Sequence, residues 1–342
     1  MQKLNCAKIT NRILRPNNFV YHRFSYLIRF ARVDKKISIL DLTPYLIYSI
    51  FKNSQYRKKL LLTFRISRLH TNQLIINNEQ LPPIEIIINS VKKDFLLLNH
   101  VIKHAVANSV NLIKEVKVIV PLDQVELCKS IINKHTSKVS IISEENFLND
   151  NIRSDIKKYF PLRYGWVIQQ FITLDAVLNS TECGVLQLNS DTILLRPMKW
   201  LNNNQIQILS SSHDYHRPYY TLLNKLNNLY TIQTDPHVTH HMLFQPNLLK
   251  KILLESNIES LSQLLTFVIK NFENDTSPMC VEYELYAQGM LIYFEDNLEI
   301  LKFGNVSCQS SNNMTVMDFE KIFLKLAKKY NSVSFHSYQA LN

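Results

Sequence analysis

At 342 residues the chain can bury one large core or two ordinary ones, and 46% hydrophobic with 20% charged residues is the make-up of a globular protein. With only 4 glycines, and neither G-x-G-x-x-G nor G-x-x-x-x-G-K-[ST], the chain lacks the loops that cradle phosphates through glycine. The net charge of +11 is lopsided: residues 1–81 hold 15 Lys+Arg against 3 Asp+Glu, leaving 24 against 25 for the rest, so the main part lacks the basic face of a nucleic-acid binder and no nucleic-acid partner is expected.

The basic first segment, residues 1–81, reads as mainly helical. Val20, Phe24, Leu27, Ile28 and Ala31 fall on one helical face, with His22, Ser25, Arg29 and Arg32 largely opposite, and Arg57-Lys58-Lys59 follows. Such a helix either packs on the main domain with its cations in water or lies on an anionic membrane surface. No apolar stretch reaches the roughly 18 residues of a membrane span. The best candidate, Ile37 to Phe51, is broken by Asp41 and Pro44. No secretory signal is visible at the N-terminus, and the five cysteines form no C-x-x-C pair. These features predict a cytoplasmic protein, held peripherally at the inner membrane face if the basic segment binds lipid.

Pro82-Pro83 marks a boundary, and residues 82–342 read as one α/β domain with halves at 82–200 and 201–342. Ile84-Glu85-Ile86-Ile87-Ile88 reads as a buried strand ending at Asn89-Ser90. A helix over Asp94–Ser109, a strand over Val116–Val120, a helix over Leu122–Asn133 and a strand over Val139–Ile142 follow. This βαβαβ order predicts a mainly parallel sheet with right-handed crossovers. Arg163-Tyr164-Gly165-Trp166 opens a further helix to about Leu178, with Trp166, Gln170 and Thr173 on the face nearer the ligand edge.

Gly184 to Leu188 is another apolar run, and it delivers Asn189, Ser190 and Asp191 to its C-terminal end, where open α/β sheets bind ligands. Carboxylates at i and i+2 of such a turn are the usual hold on a divalent cation that neutralises a diphosphate, Mn²⁺ or Mg²⁺. Here the first place is an amide, which brings an oxygen ligand without charge. Farther on, Ile206–Leu209 and Val238–Phe244 read as strands, which would send His240 and His241 to opposite faces. Helices are expected near Asn247–Ser256, Leu261–Asn271 and Val316–Lys328, and a strand near Leu298–Phe303. Glu282 and Glu284, if helical, do not share a face, so one of them enters a site. His336 ends an apolar approach, and its imidazole suits Mn²⁺.

Several of these stretches together resemble a bacterial family of GT-A-type glycosyltransferases tied to surface-polysaccharide synthesis and long catalogued as a domain of unknown function. They are Ile84–Ser90, Tyr164-Gly165-Trp166 with Gln169-Gln170, Leu188 to Thr192 with Arg196-Pro197, Val238 to Phe244, and Glu282 to Tyr286. The resemblance runs from Ile84 to about Tyr338 and leaves residues 1–81 outside it. It implies a Rossmann-like GT-A sheet with helices on both faces, a nucleotide-sugar donor and a glycan or lipid-linked acceptor. It also implies a cation held by Asp191, Asn189 and His336. The donor would be lined by Asn89, Ser90, Lys92, Arg163, Trp166, Gln170, Ser190 and Asp191. Glu282, Glu284, His240 and His241 would form the acceptor and catalytic side, one carboxylate acting as base if the enzyme inverts. Two rival readings remain: a sugar nucleotidyltransferase, although Asn89-Ser90-Val91-Lys92-Lys93 lacks the glycines of its usual phosphate loop, and a non-catalytic binder on a decayed transferase fold.

Overall fold

The computed structural model describes residues 70–71, 80–132, 138–212, 216–226, 229, 236–272, 282–309 and 316–336. All of them belong to one compact unit. The basic helical segment expected at the N-terminus lies outside the described residues.

The chain alternates strands and helices. β1 (His70–Thr71) and β2 (Ile84–Asn89) precede α1 (Phe95–Ala107), β3 (Ile113–Val120), α2 (Val125–Ile131), β4 (Val139–Ser143), α3 (Asp150–Tyr159) and α4 (Tyr164–Leu178). β5 (Val185–Leu188), β6 (Thr192–Leu194), β7 (Gln207–Ser211), α5 (Arg217–Leu223), β8 (His241–Phe244), α6 (Pro246–Glu255) and α7 (Leu261–Asn271) come next. The described part closes with α8 (Glu282–Tyr293), β9 (Leu298–Lys302), β10 (Asn305–Gln309), α9 (Val316–Leu326) and β11 (Ser332–His336).

The main sheet has five strands in the order β4-β3-β2-β5-β8. The first four are parallel and β8 runs antiparallel to β5. The sheet is therefore mixed and mainly parallel, compatible with a Rossmann-like fold. β2 is buried from Ile84 to Ile88 because both of its faces are covered, which is why it is isoleucine-rich, with its one charged residue, Glu85, paired to Lys117. Its Ile84, Ile86 and Ile88 pack with Leu97, Leu98, Val101 and Ile102 of α1, Leu186 and Leu188 of β5, and Phe319 and Phe323 of α9. Each such side chain contributes about 1.5–3 kcal/mol by leaving water. α4 covers the opposite face.

Two three-stranded sheets flank the main one. β11 pairs in parallel with β10 and antiparallel with β6, tying the end of the described chain to the strand just after Asp191. β7 pairs with β9, and β9 with β1. β8 comes from the later half of the chain but completes the main sheet beside β5, so the two expected halves share one sheet.

The structure departs from the sequence reading in several places. The strand expected over Val238–Phe244 begins only at His241, because His240 has φ 63°, a left-handed conformation that an extended strand cannot contain. α3, which carries only Ile152 and Ile156 as buried residues, and the short strand β10 were not expected. The stretch from Glu282 is a helix buried on all sides, so no amphipathic period marks it. Gly289 lets α8 meet α6 closely, since a Cβ there would collide with Ile252.

Candidate functional site

The strand order creates the site. From β2 the chain steps to β3 and β4 on one side, then returns to place β5 on the other. Where neighbouring strands have connections leaving in opposite directions, a crevice opens at their C-terminal ends. Ile87 lies opposite Gln187, so β2 and β5 end level and bring Asn89-Ser90 beside Asn189-Ser190. Alternation along the strands puts Ser90 and Ser190 on the α1 side, with Ile88 and Leu188. Asn89 turns to the other face, where its Nδ2 donates to Thr173 Oγ1 of α4 at 2.7 Å and to the Gln169 carbonyl at 3.3 Å.

The tip is a tight turn held by backbone. The Thr192 N–H donates to the Asn189 carbonyl at 3.1 Å, and the Phe335 N–H of β11 donates to the Asp191 carbonyl at 2.9 Å. Thr192 Oγ1 lies 2.8 Å from Ser334 Oγ and donates to Asp191 Oδ1 at 3.2 Å. Ser190 Oγ donates to Asp94 Oδ2 at 2.9 Å. Asp94 immediately precedes α1 yet makes no capping hydrogen bond to it. Its carboxyl is pushed above the ordinary value, mainly by burial and further by the Asp191 carboxylate, against the pull of Lys93 and of the Ser190 hydroxyl. Beside it, Ser90 Oγ and Asn89 Oδ1 are buried and have no hydrogen-bond partner among the described residues. Polar atoms left so at the mouth of a crevice mark a place where something else binds.

Asn189 is occupied by its own neighbours. Its Oδ1 accepts from Gln187 Nε2 at 3.2 Å, and the Tyr283 hydroxyl donates into the pair of Gln187 and Asn189 oxygens, 3.2 Å from the latter. Its Nδ2 lies 3.2 Å from His240 Nδ1, and its backbone N–H donates to the His240 carbonyl at 3.0 Å. With the amide oxygen fixed as acceptor, the amide donates to His240 Nδ1, so the ring proton sits on Nε2. His240 is thus locked to the tip from a strained backbone position, a combination found at functional sites.

The two histidines do part company, but His241 faces the core. It is 1% exposed, its Nε2 lies 2.9 Å from Ser210 Oγ, and its ring packs against Trp200 and Phe303. Burial depresses its pKa to about 3. Glu284 is likewise buried in the scaffold: at 0% exposure it accepts the His237 N–H at 2.7 Å and Gln288 Nε2 at 3.3 Å. Glu282 is also buried, and it stands next to Tyr283, the residue that reaches the tip.

On the donor side, Lys92 is exposed in the turn after β2, where its N–H donates to Gln124 Oε1 at 2.7 Å. The Arg163 guanidinium stacks over the Trp166 ring at 5.4 Å. Both stand about a turn beyond the part of α4 that Asn89 touches. Gln170 is buried, donating back to the Trp166 carbonyl at 3.2 Å. His336 ends β11 one residue past the Asp191 contact, and its side chain lies outside the described residues. Asp94, Tyr283 and Gln187 belong to the tip without having been picked out in the sequence. Asp94 had a visible signal, an acidic residue just after a strand end, which also reads as an ordinary helix start.

The buried histidines set a pH dependence. His241 takes up a proton in the unfolded chain near 6.5 but in the fold only near 3, so the unfolded state binds more protons between those values. Stability from this group is complete above about pH 6.5 and falls by about 1.4 kcal/mol per pH unit as acid is added. Burial lowers His100 and His104 in the same direction. Asp94 and Glu144, both raised mainly by burial, act with the opposite sign at lower pH. Thermal melts are expected to fall clearly from pH 7 to pH 5.5, and a level melting temperature there would contradict a neutral, buried His241.

Among the described residues no three His, Cys, Asp or Glu side chains form a metal-holding group, and no helix is long and apolar enough to cross a membrane. The donor set at the tip nonetheless suits a hard cation that takes one or two carboxylates and completes its shell with phosphate oxygens. No family model matches the chain, and no curated protein matches it significantly.

Proposed function

We propose that the chain is a nucleotide-sugar-dependent glycosyltransferase of GT-A type that transfers a sugar to a glycan or lipid-linked acceptor. The observation that carries this reading is the crevice between β2 and β5, where Asn89-Ser90 stand level with Asn189-Ser190 at the ends of parallel strands and Asn89 Oδ1 and Ser90 Oγ are buried without a hydrogen-bond partner among the described residues. A divalent cation, Mn²⁺ or Mg²⁺, would be held by Asp191, and when bound it neutralises the diphosphate leaving group. α1 begins shortly after the C-terminal end of β2, and the positive end of a helix favours an anionic ligand. Lys92, and Arg163 stacked on Trp166, would flank the donor. His240, which carries its proton on Nε2, and Glu282 would face the acceptor, with Glu282 as base if configuration inverts.

The test is a panel of nucleotide sugars with Mn²⁺ or Mg²⁺, read as hydrolysis and as transfer, with Asp191→Ala as the control. Hydrolysis of no donor by the folded protein would refute the reading. The +12 segment over residues 1–81 is proposed to bring the domain to an anionic membrane surface. Co-sedimentation of the full chain with phosphatidylserine vesicles is then expected and should weaken as salt rises. Sedimentation no greater than with neutral vesicles would exclude it.

A further inference from the structure

The amide in the first place of the tip turn does more than stand in for a carboxylate. Asn189 is bonded to His240 twice: its backbone N–H donates to the His240 carbonyl at 3.0 Å, and its Nδ2 lies 3.2 Å from His240 Nδ1. Thr239 and His241, on either side, are buried, while the left-handed turn at φ 63° leaves His240 half-buried beside the tip. The Thr239 hydroxyl braces this turn by donating to the His241 carbonyl at 2.9 Å.

The direction in which the Asn189 amide faces is set from β5 and α8. Gln187 Nε2 donates to Asn189 Oδ1 at 3.2 Å, and the Tyr283 hydroxyl stands 3.2 Å from the same oxygen while donating to Gln187 Oε1. Gln187 and Tyr283 are 6% and 4% exposed, so these bonds are made away from water, where each is stronger. Turned over, the Asn189 amide would set its NH2 group against that of Gln187. Held as it is, it donates to Nδ1, so Nδ1 is bare and the ring proton is on Nε2. An aspartate in the same place would act in the opposite sense. A carboxylate only accepts, so Nδ1 would have to carry a proton, leaving Nε2 basic or the ring charged. The choice of amide over carboxylate at this one position therefore decides what His240 can do.

We propose that Asn189 is a positioning residue that fixes His240 as a neutral donor through Nε2, so that His240 takes part in the site by hydrogen-bonding to substrate oxygen and not as the base that removes the acceptor proton. The inference rests on the sugar-transfer reading above and narrows it, because of the two roles open to an imidazole, donor or base, one remains. It also gives the amide a task in the place where a second carboxylate would strengthen the hold on a cation. Gln187 and Tyr283 serve the same task by holding the amide oxygen.

The test is ¹⁵N NMR of the full chain labelled at histidine, at about pH 8, above the ordinary imidazole range. The ring signals of His240 are assigned by their loss in His240→Gln. The parent is expected to show Nδ1 without a proton and Nε2 with one. A protonated Nδ1 in the folded parent overturns the proposal, whatever the activity. In Asn189→Asp, Nδ1 is expected to become protonated and sugar transfer to fall by about 10-fold or more. An Asn189→Asp protein whose Nδ1 stays bare, or one that gains the proton there and transfers sugar as well as the parent, also overturns it. The expected ring state in a parent that turns over no nucleotide sugar leaves Asn189 setting the His240 proton and removes the glycosyltransferase reading.

Discussion

Asp191→Ala is expected to reduce sugar transfer and donor hydrolysis by about 10³-fold or more while leaving the fold intact. The turn that presents Asp191 is fixed through main-chain atoms, the Thr192 N–H to the Asn189 carbonyl and the Phe335 N–H to the Asp191 carbonyl. Those bonds survive truncation of the side chain. The residue is half-buried and lies outside the apolar cluster beneath it, so little packing is lost. What disappears is a full negative charge at the crevice mouth, together with the cation it would hold. Loss of that charge leaves the leaving diphosphate without its counter-charge, and the penalty falls on the chemical step more than on donor binding. The readout is therefore kcat against KM for the preferred donor, beside circular dichroism and a thermal melt. Unchanged turnover in a folded Asp191→Ala protein would end the assignment of the tip as a catalytic metal site.

Much of the frame that positions Asp191 can be read from local pattern. β2 and β5 announce themselves as mostly apolar stretches closed by polar residues, because strands covered on both faces demand it, whereas β3 and β4 mix polar with apolar residues and are only partly buried. The alternation of those strands with helices then predicts parallel pairing. The site itself is less legible, since the residues gathered at the tip come from three separate parts of the chain. Asp94 looks like a helix cap until the structure shows its carboxylate bonded to Ser190. Tyr283 looks like one aromatic among many until it reaches Asn189 across 94 residues. His240 and His241 both look like site histidines, and what separates them is a single left-handed residue that ends the strand one position later than apolar content suggests. Positive φ at a histidine leaves no mark in composition or period, so no reading of residue types would have found it. α8 escaped for the opposite reason. A helix buried on every side has no polar stripe, and carboxylates inside it look like surface charge or site residues.

Glu284→Ala tests that last distinction, and it is expected to destabilise the protein by about 3 kcal/mol. The Glu284 carboxylate is fully buried on α8 and accepts the His237 backbone N–H at 2.7 Å. His237 in turn has its Nδ1 2.8 Å from the Ser210 carbonyl at the end of β7. The carboxylate therefore fixes the approach to β8, the segment that ends by setting His240 against Asn189. Truncation strands a buried N–H, removes one partner of Gln288 and leaves a small void, each a recognised cost. For a domain of this size the melting temperature should drop by roughly 5–10 °C. Glu284→Gln keeps the volume and an acceptor oxygen for His237, so it should lose clearly less. Activity separates this role from a catalytic one. If Glu284 is scaffold, the Gln variant below its melting temperature keeps turnover within about an order of magnitude of the parent, whereas removing a general base costs about 10²- to 10⁴-fold. A Glu284→Gln protein as stable as the parent but inactive would return the residue to the chemistry, and the helix that carries it would then be part of the acceptor site itself.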